Sequence, residues 1–66
     1  MKKTVKELYV TGVMTARTHT NIHKAMNSQH DFKSYDDVEW MTCEELLNNR
    51  NIKGALRSKV MAMANL

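Results

Sequence analysis

The chain has 66 residues, a net charge of +3 and one cysteine. That length makes one small domain, in which only roughly 60% of the unfolded surface is buried. A deep enzyme cleft needs more scaffold, so no catalysis is expected. Cys43 alone excludes an intrachain disulfide and a cysteine-based zinc site, and a reducing cytoplasm is the simplest setting for it.

The charge is sorted into blocks. Lys2, Lys3, Lys6, Arg17 and Lys24 face only Glu7 in residues 1–30. Asp31, Asp36, Asp37, Glu39, Glu44 and Glu45 crowd residues 31–45 against Lys33. Arg50, Lys53, Arg57 and Lys59 then follow with no acid to the end. Two basic lobes around an acidic waist suit a polyanion or an acidic protein patch. The start Met1-Lys2-Lys3 is basic, but Lys6, Glu7, Thr11 and Gly12 interrupt any apolar run that would make it a signal peptide. No stretch approaches the ~20 apolar residues of a membrane span. A soluble, cytoplasmic protein without a membrane partner is expected. Six Met and six Asn with no Pro give a composition found in AT-rich and phage genomes.

In chain order, Thr4-Val5-Lys6-Glu7 has the form of a capping box, in which Thr caps the helix and Glu reaches back. Val5, Leu8, Tyr9 and Val13 continue at helical spacing. The density of Val, Tyr and Thr in 4–15 keeps a strand open as the alternative. Gly12 ends or turns this element. Thr15 or Thr18 then caps a helix to about Ser28. Its inward side is Thr18, Ile22, Ala25 and Met26 with His19 beside them, and its outward row is Arg17, Asn21, Lys24 and Ser28. Gln29–Lys33 reads as a loop. Ser34-Tyr35-Asp36-Asp37 is a weaker helix start. Asp36–Thr42 fits either a short strand or a helical turn. Thr42-Cys43-Glu44-Glu45 repeats the capping box and opens a helix to Asn49, and Asn48–Asn51 is a turn. Ile52–Asn65 is a helix with the stripe Ile52, Leu56, Val60 and Met63, widened by Ala55 and Ala62. Lys53 and Arg57 lie opposite, and Lys59 falls in the apolar arc and must snorkel. The segment from Thr4 through Gly12-Val13 echoes that from Thr42 through Asn51-Ile52, with one extra residue in the second turn.

The reading is a mostly α fold, a compact three- or four-helix domain of helix-turn-helix type across residues 1–66. The alternative is a small α+β domain with strands near 5–14 and 37–42 packed on the C-terminal helices. A helix-turn-helix needs a short helix, a tight turn and a helix for the DNA major groove. Arg17 suits guanine and Asn21 adenine, while Thr20, Lys24 and Ser28 suit phosphates. Lys2, Lys3 and Lys6 form a basic arm. Lys53 and Arg57 would add contacts from the second hairpin, with Gly54 permitting close approach. The expected function is a small basic protein that binds double-stranded DNA in control of transcription, recombination or replication.

A second expectation is a small, phage-encoded interaction protein that binds a host protein through Trp40, Asp36, Asp37 and Met61. Pairing into a homodimer would let a core this small gain burial. Trp40, Tyr35 and Phe32 lie among acids and read as core anchors. His19 and His23, spaced i, i+4, suit a metal, but a third ligand would have to come from His30, Asp31 or Cys43. No metal and no cofactor is therefore expected, and His23 is assigned a place near phosphate. Cys43 at the first turn of a helix should have a lowered thiol pKa.

Overall fold

Four-residue capping chemistry sets most of the helix starts. Residues 3–27 and 34–65 are described by the computed structural model. Helix α1 spans Val5–Val10 and α4 spans Cys43–Leu47. At the first, the Glu7 amide donates to Thr4 Oγ1 and the Thr4 amide donates to Glu7 Oε1, both at 3.2 Å. At the second, Glu45 and Thr42 exchange the same pair of bonds. Helix α3, Tyr35–Glu39, starts on Ser34, whose Oγ accepts from the Asp37 amide at 3.1 Å. Helix α2, Ala16–Asn27, starts beside Thr15, whose Oγ1 accepts from the Thr18 amide at 3.2 Å. Each such cap satisfies amides that the first helical turn leaves unpaired.

Helix α5, Gly54–Ala64, has no side-chain cap. It begins two residues later than the apolar stripe suggests, because Gly54 has φ 63°. The left-handed conformation at Gly54, like that at Gly12 (φ 83°) after α1, is one that side chains disfavour. Nothing stands within 4 Å of where a Cβ would sit at either position. Backbone conformation, not space, therefore asks for glycine there.

The fold is mostly α, and the strand alternatives fail. Residues 5–10 are helical, and residues 35–39 form a helical turn and a half. The one pairing of strand type among the described residues is an isolated antiparallel bridge between Thr4 and Thr42. There the Val5 amide donates to the Met41 carbonyl at 2.8 Å, so the two capping boxes stand side by side.

The echo between the two halves is also one of packing. Val5 pairs in register with Cys43, Leu8 with Leu46, Met14 with Ile52 and Ile22 with Val60, and all eight are buried. The starts of α2 and α5 keep the same register. No insertion is needed, and the second turn is longer only because α4 stops one residue sooner than α1. The core adds Met26, Val38 and Met41, with Ala25, Leu47, Leu56 and Met63 packed partly against it.

Two expectations about this core are corrected and a third holds. Leu56 and Met63 are only half-buried, and Ala55 and Ala62 are exposed, so the α5 stripe is narrower than its spacing suggests. Trp40 is not a core anchor: it is 68% exposed, and Tyr35 is 60% exposed. In a helical turn Val38 and Glu39 both face inward, and Trp40, one step on, turns outward. Lys59 does snorkel, exposed over a small cavity lined by Val13, Met14, Thr15, Thr18, Ala62 and Met63. No described helix is long and apolar enough to cross a membrane.

Candidate functional site

Helix α2 carries two chemically different faces. At 100° per residue, Arg17, Asn21 and Lys24 fall within about 60° of one another. All three are exposed, as are Thr20 and Asn27 on the same side. No acid lies anywhere in α2. The expected outward row thus stands as a continuous polar and basic face, except that Ser28 lies outside the described residues. Lys3 and Lys6 are also exposed. Lys6 Nζ sits 6.0 Å from the centre of the Trp40 ring, a cation–π distance. Lys2 lies outside the described residues.

In the second hairpin the two basic side chains are placed differently. Lys53 is exposed at the cap of α5. Arg57, however, turns its guanidinium back on the protein: Nη1 donates to the Leu47 carbonyl at 3.0 Å and the Ile52 carbonyl at 3.4 Å. Those carbonyls lie at the end of α4 and in the turn after it, where helical partners run out. Arg57 is a structural clasp between α4 and α5, with only part of its fork left for solvent.

Among the described residues, the acids of the waist stand at exposed helix starts, apart from one that is buried. Glu45 closes a capping box. Asp36, Asp37 and Glu44 occupy first turns of α3 and α4, where a negative charge meets the positive end of the helix dipole. Asp31 lies outside the described residues. Glu39 is buried, and it is the residue that sequence reasoning missed.

The inward face of α2 holds His19 and His23 among Thr18, Ile22 and Met26, all buried. Both histidines meet Glu39 from α3. His19 Nε2 lies 2.5 Å and His23 Nε2 2.6 Å from the same oxygen, Glu39 Oε1. Their side chains are 9%, 11% and 10% exposed for His19, His23 and Glu39. Two tyrosines enclose the pair. Tyr9 stacks on His19 with centroids 4.0 Å apart, and Tyr35 stacks on His23 at 4.2 Å, each 10° from parallel. His23 Nδ1 is buried with no hydrogen-bond partner among the described residues. Burial pushes the Glu39 carboxyl up, but hydrogen bonds from His23 and His19 and their charge outweigh it, and the net shift is downward. His23 is therefore not a phosphate contact, since it faces the interior.

Of the third ligands considered for the histidine pair, His30 and Asp31 lie outside the described residues. Cys43 belongs to the core cluster with Val5 and Leu46. The residue that meets both histidines is Glu39. Cys43 also lacks the lowered pKa expected at a helix start. Burial pushes its thiol up, and α4 is only five residues long, too short to offset desolvation. Comparison of the chain with protein-family models, with curated proteins and with solved structures finds no match.

Proposed function

We propose that this chain is a small double-stranded-DNA-binding protein, acting in control of transcription, recombination or replication, with the outer face of α2 as its reading surface. One observation carries the reading. The Arg17–Asn21–Lys24 row is open and free of acids, while the acids of residues 34–45 are held at helix starts or buried. Basic charge is left uncompensated where a polyanion can reach it. Arg17 offers a fork suited to guanine, and Asn21 an amide suited to adenine. Lys24 and Thr20 suit phosphate oxygens, which set register. The order of short α1, glycine turn and longer α2 is that of a helix-turn-helix.

Fluorescence anisotropy with a labelled duplex tests this. Affinity should fall steeply between 50 and 200 mM salt, with a log–log slope of about −0.9 per phosphate contacted. A chain of this size should release counterions from only a few phosphates. No duplex retention at 50 mM salt would overturn the reading.

A second reading has its own support in the exposure of Trp40 and Tyr35, because large aromatics open to solvent are frequent anchors of protein contacts. Asp36, Asp37 and Met61 are also exposed. In that reading the chain binds and modulates a host protein. Capture from lysate separates the two. Loss of bound material on nuclease treatment favours DNA, and one protein band that survives nuclease favours the second reading.

A further inference from the structure

The geometry points to a divalent metal site of the zinc class, in which His19 Nε2, His23 Nε2 and Glu39 Oε1 hold one ion and leave a position open to solvent. This inference is independent of the DNA reading and concerns the opposite face of α2.

Four features of the cluster support it. First, the three ligand atoms all lie within 4.8 Å of one another. They are two imidazole nitrogens and a carboxylate oxygen, the donor set of three-ligand zinc centres that keep a fourth position for water. Second, histidines at i, i+4 present both rings to one side of a helix, the spacing that zinc-binding helices use. Here Thr20 and Asn21 follow His19, so the glutamate base of the metallopeptidase pattern is missing. The site is therefore assigned as a binding centre with no peptidase chemistry.

Third, Glu39 is a buried carboxylate whose ion-pair partners among the described residues are these two imidazoles alone. Buried charges are paired or bind metals. A cation between the three groups would satisfy the carboxylate and both nitrogens together. Metal–ligand bonds of about 2.0–2.2 Å in a tetrahedron set ligand atoms about 3.3–3.6 Å apart. The contacts of 2.5 and 2.6 Å would thus need to open by about 1 Å. Rotation of the Glu39 side chain can supply that, since its terminal torsion is broad.

Fourth, the rings are held before any ion arrives. Tyr9 and Tyr35 lie flat against the outer faces of His19 and His23, so little ring orientation remains to be fixed on binding. Each of the three ligand side chains keeps about a tenth of its surface exposed.

The test uses the full chain, stripped with chelator and exchanged into metal-free buffer. Co²⁺ serves as the spectroscopic probe and Zn²⁺ as the competitor. The expected result is one Co²⁺ per chain, with visible d–d absorption of four-coordinate intensity that Zn²⁺ displaces. The melting temperature should rise with ion concentration, because an ion that binds only the folded state stabilises it. His23→Gln and Glu39→Gln should each weaken binding by more than the 10–100-fold typical of losing an outer-shell partner. Circular dichroism establishes that each variant is folded. His19→Asn is a further variant in case one of these unfolds. Absence of stoichiometric Co²⁺ absorption in the folded wild-type chain would overturn the inference. So would binding that persists unchanged in the folded variants, because the ion would then sit elsewhere.

Discussion

Leu46 and Trp40 make opposite forecasts for the same truncation. Leu46 is fully buried in α4, against α5, while Trp40 is 68% exposed just after α3. Leu46→Ala removes three carbons from a side chain with no solvent exposure. Such changes cost about 2–5 kcal/mol, from lost transfer energy and the cavity left behind. At about 0.05–0.15 kcal/mol per residue, a chain of this length has a total stability of only about 3–10 kcal/mol. A loss near 3 kcal/mol, at about 4–8 °C per kcal/mol for a domain this small, lowers the melting temperature by about 12–24 °C. Trp40→Ala removes a larger side chain, yet little of it is buried. The cation–π contact with Lys6 adds about 0.5–1 kcal/mol at an exposed site, so the total should be about 1 kcal/mol. Thermal and urea melts followed by circular dichroism measure both. If Trp40→Ala destabilised as much as Leu46→Ala, the packing described above would be wrong. A melting temperature that moved by less than about 3 °C in Leu46→Ala would refute it equally.

Gly12→Ala should cost about 1–2 kcal/mol, because φ 83° puts a Cβ against the following carbonyl. Gly12→Asn should cost less, and equal losses in chemical melts would show that conformation is not the constraint. The Cys43 thiol, raised by burial, holds less thiolate in the folded chain than in the unfolded one at the same pH. Alkylation at pH 8 should therefore be slow in buffer and fast in urea, and equal rates would contradict its place in the core. Arg57→Ala should lose about 0.5–1.5 kcal/mol of stability through its bonds to the Leu47 and Ile52 carbonyls. It should change duplex affinity less than Arg17→Ala does, and the reverse order in anisotropy titrations would restore Arg57 to the DNA face.

What was legible in the sequence is what is decided locally. Both capping boxes place their helix starts correctly, because donor, acceptor and cap all lie within four residues. The amphipathic split of α2 is also local, and its outward row is exposed as its spacing implies. The cluster of His19, His23 and Glu39 depends on α3 returning to α2, and no local pattern carries that. A signal did exist. His23 shares its face with Ile22 and Met26, so a buried imidazole there needs a partner. Glu39 follows Val38, so the inward side of a helical turn would carry it along. Residues 36–42 fit a strand or a helical turn equally from sequence, and only the helical turn puts Glu39 beside Val38 on the inward side. The width of the α5 stripe is set by how much of that helix its neighbours cover, which spacing alone does not carry: Val60 is buried, while Leu56 and Met63 are half-buried.

Nuclear magnetic resonance of the ¹⁵N-labelled chain titrated with duplex DNA tests the central claim most directly. The account predicts amide shift changes concentrated on Arg17, Thr20, Asn21 and Lys24, diminishing with added salt. Shift changes gathered on Asp36, Asp37, Trp40 and Met61, or none along α2 at 50 mM salt, would contradict it.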